Sequence, residues 1–117
     1  MADDKTTVKA LLDEMALFVK ERDWAQFHSP KNLAMGAAIE AAELMEHFQW
    51  CELPESREVV DNPEKLNEVK EEICDVLSYV LALANSLDFD LSEAYFAKMK
   101  KNRLKYPDDK YHGKYKK

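Results

Sequence analysis

The residues best suited to chemistry are four carboxylates at two fixed spacings. Glu40 and Glu43 lie three apart, 28 residues follow, and Glu72 and Asp75 again lie three apart. On an α-helix each residue turns by about 100°, so positions i and i+3 share a face. If both segments are helical and the two faces meet, four carboxylates converge. Unpaired, they repel one another or hold protons. A hard divalent cation removes the conflict, because Mg2+ takes oxygen ligands in octahedral geometry and keeps positions open for water and phosphate oxygens. The competing reading is that these are solvated surface acids, as most acidic residues are. A di-iron carboxylate centre is the nearest chemical rival, and it needs Glu-x-x-His on two helices. His47 stands four residues after Glu43, and the segment carrying Glu72 and Asp75 has no histidine. The all-oxygen site, for Mg2+ or Mn2+, is the better reading.

Four segments with a 3.6-residue apolar period supply the elements that would position these groups. The first follows Thr6-Thr7, a helix cap, and carries Val8, Leu11, Leu12, Met15, Phe18 and Val19 to about Asp23. The second begins after Pro30, with Asn32 as a cap candidate, and runs to about Trp50. Asn62-Pro63 announces the third, a cap followed by proline at the first helical position. Its stripe includes Leu66, Val69, Ile73, Leu77, Val80, Ala84 and Leu87. The fourth opens on Asp90 and Glu93 in capping-box spacing and stops before Pro107. The spacing predicts an all-α protein, a four-helix bundle. Residues 51–62 read as an acidic loop, and 105–117 as a basic, loosely ordered tail. The third helix is long enough to extend beyond a small bundle, which points to an oligomer.

Angular positions bring the acids beside the core instead of opposite it. Glu68, Glu72, Asp75 and Tyr79 fall in a strip roughly 60° wide. Gly36, Glu40, Glu43, His47 and Trp50 form a strip roughly 80° wide on the second helix. Trp50 and Tyr79 thus share flanks with the carboxylates, where a flat heterocycle could stack. Trp24 and His28 stand in the preceding linker. The basic end of the fourth helix, with Lys98, Asn102, Arg103 and Tyr106, suits phosphate oxygens. Each also has a plainer reading: aromatics are commonly core, and cations commonly close a helix C-terminus.

Composition bounds the rest. The 117 residues make one domain with two glycines and four prolines, too few glycines for phosphate-cradling loops or dinucleotide folds. Residues 1–97 hold 8 Lys+Arg against 21 Asp+Glu, and residues 98–117 hold 9 against 2. The acidic body opposes a nucleic-acid duplex despite the basic end. No run approaches a membrane span, and MADDKTT is unlike a signal peptide, so a cytoplasmic protein is expected. Cys51 and Cys74 are neither a disulfide framework nor a metal pair and read as buried or half-buried thiols.

Three blocks carry a family resemblance across residues 20 to 107: ERDWAQFHSPKNLA, then EAAELMEHFQW, then EEICDVLSYVLALA followed by KMKKNRLKYP. In this order they resemble the all-α nucleoside triphosphate pyrophosphohydrolases, MazG-like in the broad sense, and within them the dCTP pyrophosphatase branch. The resemblance implies a four-helix core assembled as a tetramer, with Mg2+ held by Glu40, Glu43, Glu72 and Asp75. It implies hydrolysis of a deoxynucleoside triphosphate to the monophosphate and pyrophosphate, with dCTP or a modified pyrimidine nucleotide as substrate and nucleotide-pool control as role. Trp24, Trp50 and Tyr79 would surround base and sugar, with His28 beside them. Lys98, Asn102 and Arg103 would meet the phosphates or the nucleotide edge. Three features depart from the branch: Met15 stands where close relatives carry a polar base-contacting residue, His47 where an aliphatic residue is usual, and the 51–62 loop is short. The alternatives are the same reaction on dUTP or a broad set of triphosphates, and a non-enzymatic helical interaction module.

Overall fold

The computed structural model describes residues 1–114, and among them every regular element is helical. Helix α1 spans Val8–Glu21, α2 Pro30–Glu46, α3 Leu53–Arg57, α4 Pro63–Leu87, α5 Leu91–Lys105 and α6 Asp108–Tyr111. Short 3-10 turns cover Ala2–Asp4, Ala25–Phe27 and Glu58–Asp61. The chain forms two compact units, the first from Met1 to Leu87 and the second from Asp88 onward.

Local chemistry explains the boundaries. Thr7 Oγ1 accepts from the Ala10 amide at 3.0 Å, and α1 starts there. The second helix starts earlier than the sequence suggested. Its cap is Ser29, whose hydroxyl accepts from the Asn32 amide, with Pro30 in the first turn. The Asn32 side chain instead donates to the Phe27 carbonyl at 3.1 Å. Asn62 Oδ1 accepts from the Lys65 amide at 3.1 Å and opens α4 as expected. Asp90 does the same for α5, accepting from Glu93 at 2.8 Å. In a chain with few glycines, aspartates close two helices: Asp23 and Asp88 hold φ of 51° and 53° in the left-handed region. At Asp23 the turn is tight, and the Trp24 amide donates back to the Val19 carbonyl at 3.0 Å.

In the first unit α1 and α2 both pack on α4. The buried apolar residues are Leu33 of α2 and Val69, Leu81, Ala82 and Ala84 of α4. Asn85 Nδ2 donates to the Leu12 carbonyl at 2.9 Å and ties α1 to α4. Much of the expected α4 stripe is uncovered: Ile73, Leu77, Val80 and Leu87 are exposed, as are Leu11 and Phe18 of α1.

Three expectations change. Residues 51–62 are helical, as α3 and the 58–61 turn, because Pro54 sits in a first helical turn where its missing N–H is harmless. Cys51 and Cys74 are exposed rather than buried: the first lies in the turn after α2, the second beside the uncovered face of α4. Residues 108–111 form a helical turn, α6, within the expected loose tail, and residues 115–117 of that tail lie outside the described residues. In the second unit Tyr106 and Tyr111 pack edge to face with centroids 5.3 Å apart. Among the described residues no helix is long and apolar enough to cross a membrane.

Candidate functional site

Helices α2 and α4 run antiparallel, and their two strips meet in three cross-helix pairs. At one end the Tyr79 ring lies against the Gly36 backbone. In the middle one carboxylate oxygen each from Glu40, Glu43 and Glu72 all lie within 4.8 Å of one another. At the other end Lys65 Nζ meets His47 Nδ1 at 2.9 Å.

The middle pair is electrostatically unfinished. Glu40 Oε2 and Glu72 Oε2 are buried with no hydrogen-bond partner. Two ionised carboxylates have no proton to donate to each other, and a shared proton or a cation between them would satisfy both. The Glu72 carboxyl beside Glu40 raises its pKa above the ordinary 4.5, and burial adds to the rise. Glu43 is raised first by the Glu40 carboxyl, in contact with it and by charge, with burial and Glu46 contributing less. Buried oxygen acceptors lacking donors on Glu40 and Glu72, crowded with Glu43, suit a hard divalent cation held by the three carboxylates. Asp75 is exposed and not part of this trio. It lines the neighbouring cavity together with Glu40.

That cavity, of about 370 Å3, is otherwise walled by Met15, Phe18, Trp24, His28, Ser78 and Tyr79. Its aromatic side is assembled by the end of α1. The Arg22 guanidinium lies 3.9 Å over the Phe18 ring and donates to the Phe18 carbonyl. Phe18 meets Trp24 edge to face at 5.6 Å, and Trp24 meets His28 at 6.4 Å. The left-handed turn at Asp23 brings Trp24 back to this wall. A second cavity of similar volume, lined by Val19, Ala82 and Asn85, shares His28 with the first.

Of the expected site residues, the structure therefore brings Glu40, Glu43 and Glu72 together, with Asp75, Trp24, His28 and Tyr79 around the adjoining cavity. Trp50 is not among them. Helix α2 ends at Glu46, and Trp50 sits in the following turn, 89% exposed, toward the end of the strip opposite Tyr79. Lys98, Asn102 and Arg103 lie on α5 in the second unit, where Asn102 Nδ2 contacts Met99 Sδ at 3.7 Å. Sequence reasoning missed Phe18 and Ser78 as cavity residues. Their signal was spacing, since Phe18 is three residues after Met15 and Ser78 three after Asp75.

Fold and site together define an all-helical protein with a carboxylate cluster suited to a divalent cation, set beside an aromatic-walled cavity. Residues 36–117 match the MazG-like family, and the chain belongs to it. It is 42% identical over 92 residues to dCTP pyrophosphatase 1 of Rattus norvegicus and to that of Homo sapiens, a stretch covering 79% of this chain and 54% of each relative. The chain thus spans about half the length of these curated relatives. A crystal structure of a pyrophosphatase from Archaeoglobus fulgidus superposes with a TM-score of 0.77 at 44% identity, over 85% of this chain and 91% of that one.

Proposed function

We propose that the protein hydrolyses a deoxynucleoside triphosphate between the α and β phosphates, with dCTP or a modified pyrimidine nucleotide as substrate, giving the monophosphate and pyrophosphate. The observation that carries this reading is the pair of buried, donorless oxygens on Glu40 and Glu72 next to a cavity walled by Phe18, Trp24 and Tyr79. Similarity to proteins named dCTP pyrophosphatase 1 supports the substrate.

In this reading Glu40, Glu43 and Glu72 hold Mg2+, for which Mn2+ can substitute, and Asp75 reaches it from the cavity wall. Held by these carboxylates, such an ion would supply charge neutralisation of the triphosphate and polarisation of the phosphorus under attack. Trp24 and Tyr79 sandwich base and sugar, His28 offers a ring nitrogen at the same cavity, and a carboxylate not engaged elsewhere takes the proton of the attacking water. Lys98, Asn102 and Arg103 contact phosphates on the strength of the resemblance alone. The four-helix tetramer is proposed on the same basis, and the exposed Leu11, Phe18, Ile73, Leu77 and Val80 support association. Trp50 is kept beside base and sugar on the resemblance alone. The setting is cytoplasmic nucleotide-pool control, without nucleic-acid or membrane partners.

A second substrate reading, dUTP or a broader set of triphosphates, is favoured by one observation: Met15 lines the cavity and offers a base edge no strong hydrogen bond. A helical interaction module with solvated acids is disfavoured by the burial of the Glu40 and Glu72 oxygens. Incubation with each triphosphate and Mg2+, followed by product separation, tests both substrate readings. Release of orthophosphate in place of pyrophosphate sinks the proposed reaction.

A further inference from the structure

The third cross-helix pair has no role in the site described so far, yet it continues the same strip. Lys65 precedes Glu72 by seven residues, two turns and about 10 Å of helix axis on the same face. Its ammonium is not left in solvent. Nζ hydrogen-bonds His47 Nδ1 at 2.9 Å, across to α2, and Glu68 Oε2 stands 3.8 Å away. Every other lysine and arginine among the described residues is exposed, whereas Lys65 is half-buried.

The bond fixes the histidine as well. An ammonium only donates, so Nδ1 accepts, and the neutral His47 ring carries its proton on Nε2. His47 therefore works as a tether, holding the lysine toward α2. The pairing with Glu68 is partly exposed and weak, and a polyanion can displace it.

Antiparallel packing sets an order along the strips. The aromatic cavity and Tyr79 come first, then the carboxylate trio, then Lys65. A nucleoside triphosphate has the same order: base, sugar, the phosphates that need a cation, and a terminal phosphate. We infer that Lys65, positioned by His47, contacts the terminal phosphate of the substrate and thereby makes the site prefer triphosphates over diphosphates. The inference rests on the triphosphate reading proposed above. Around Lys65 the groove becomes acidic again, because Glu55 and Glu58 line the small cavity, about 230 Å3, that also contains His47 and Lys65. One cation followed by carboxylates fits a phosphate chain that ends at the lysine.

The experiment compares wild type, Lys65→Ala, Lys65→Arg and His47→Leu with dCTP and dCDP in Mg2+, taking KM or, for a nucleotide not turned over, its inhibition constant. Lys65→Ala is expected to raise the KM for dCTP about tenfold or more, the scale of a lost hydrogen bond to a charged group, while the constant for dCDP holds. Lys65→Arg restores most of the difference, and His47→Leu falls between. Calorimetric titration with pyrophosphate in Mg2+ is expected to rank the variants in the same order. Equal losses for dCTP and dCDP, or an unchanged ratio in Lys65→Ala, overturn the role of Lys65 and leave the pyrophosphohydrolase reading standing. Absence of turnover with every triphosphate in wild type overturns that reading and this inference with it.

Discussion

The Tyr79 ring lies so close to the α2 backbone at Gly36 that a Cβ added there would fall 2.6 Å from ring atom Cδ1 and 2.8 Å from Cζ. Glycine in a helix interior ordinarily costs about 0.5–1 kcal/mol relative to alanine. Here that cost is the condition for seating an aromatic ring beside the carboxylates.

Gly36→Ala separates these two effects. The helix gains propensity, the overpacked ring costs about 1–3 kcal/mol, and the ring relieves the clash by moving into the cavity. The expected result is a small fall in melting temperature together with a several-fold rise in KM at nearly constant kcat. Steady-state kinetics beside a thermal melt checks it. An unchanged KM would mean that Tyr79 does not meet the nucleotide.

Glu40→Gln and Glu72→Gln are expected to lower kcat by at least about 100-fold, the scale on which a lost electrostatic contact to a transition state is felt. Both variants should fold, since each removes a negative charge from a crowded cluster. Circular dichroism and kinetics on the same samples decide the matter. Near-wild-type turnover in either variant at saturating Mg2+ would remove the trio from the site.

Cation binding is expected to stabilise the fold, by about 2.7 kcal/mol at a free concentration one hundred times the dissociation constant. A melt with Mg2+ or Mn2+ against one with chelator reads this directly. The gain should vanish in Glu72→Gln. A gain of the same size in that variant would point to cation binding elsewhere.

The acid cluster also sets a pH dependence in the absence of metal. Glu40 and Glu43 titrate above 4.5 in the fold, so from that pH up to their raised values the native state binds more protons than the unfolded chain. Stability contributed by these two carboxyls therefore falls as pH rises through that window. Melting in chelator at stepped pH should show this slope in wild type and a shallower one in Glu40→Gln. A slope of equal size in both assigns it to other groups.

Helix starts were legible wherever a side chain both caps and precedes the stripe, as at Thr7, Asn62 and Asp90. Asn32 was the expected cap before α2, but Ser29 caps the helix, and the Asn32 side-chain amide donates to the Phe27 carbonyl instead. Burial was far less legible. Periodicity identifies the apolar face of α4, but Ile73, Leu77 and Val80 remain exposed. Angles, given that the two faces meet, predicted a convergence of four carboxylates, and three of them, Glu40, Glu43 and Glu72, come together while Asp75 stays outside the cluster. Angles carry no direction, however, so Trp50 and Tyr79 were grouped together although antiparallel packing puts them toward opposite ends. Lys65 escaped notice for a related reason: the strip was followed through its acids, and its one cation lay just beyond them.

The three cross-helix pairs also bear on how such proteins can diverge. With α2 and α4 held in register at both ends and the middle, the connection over 48–61 is not needed to align them. Its length can drift at little thermodynamic cost, about 0.6 kcal/mol for each doubling of a flexible loop. Insertions there can acquire new surfaces while the groove keeps its chemistry. A single residue inserted inside α2, by contrast, rotates every later side chain by about 100° and uncouples the acids from their partners in one step.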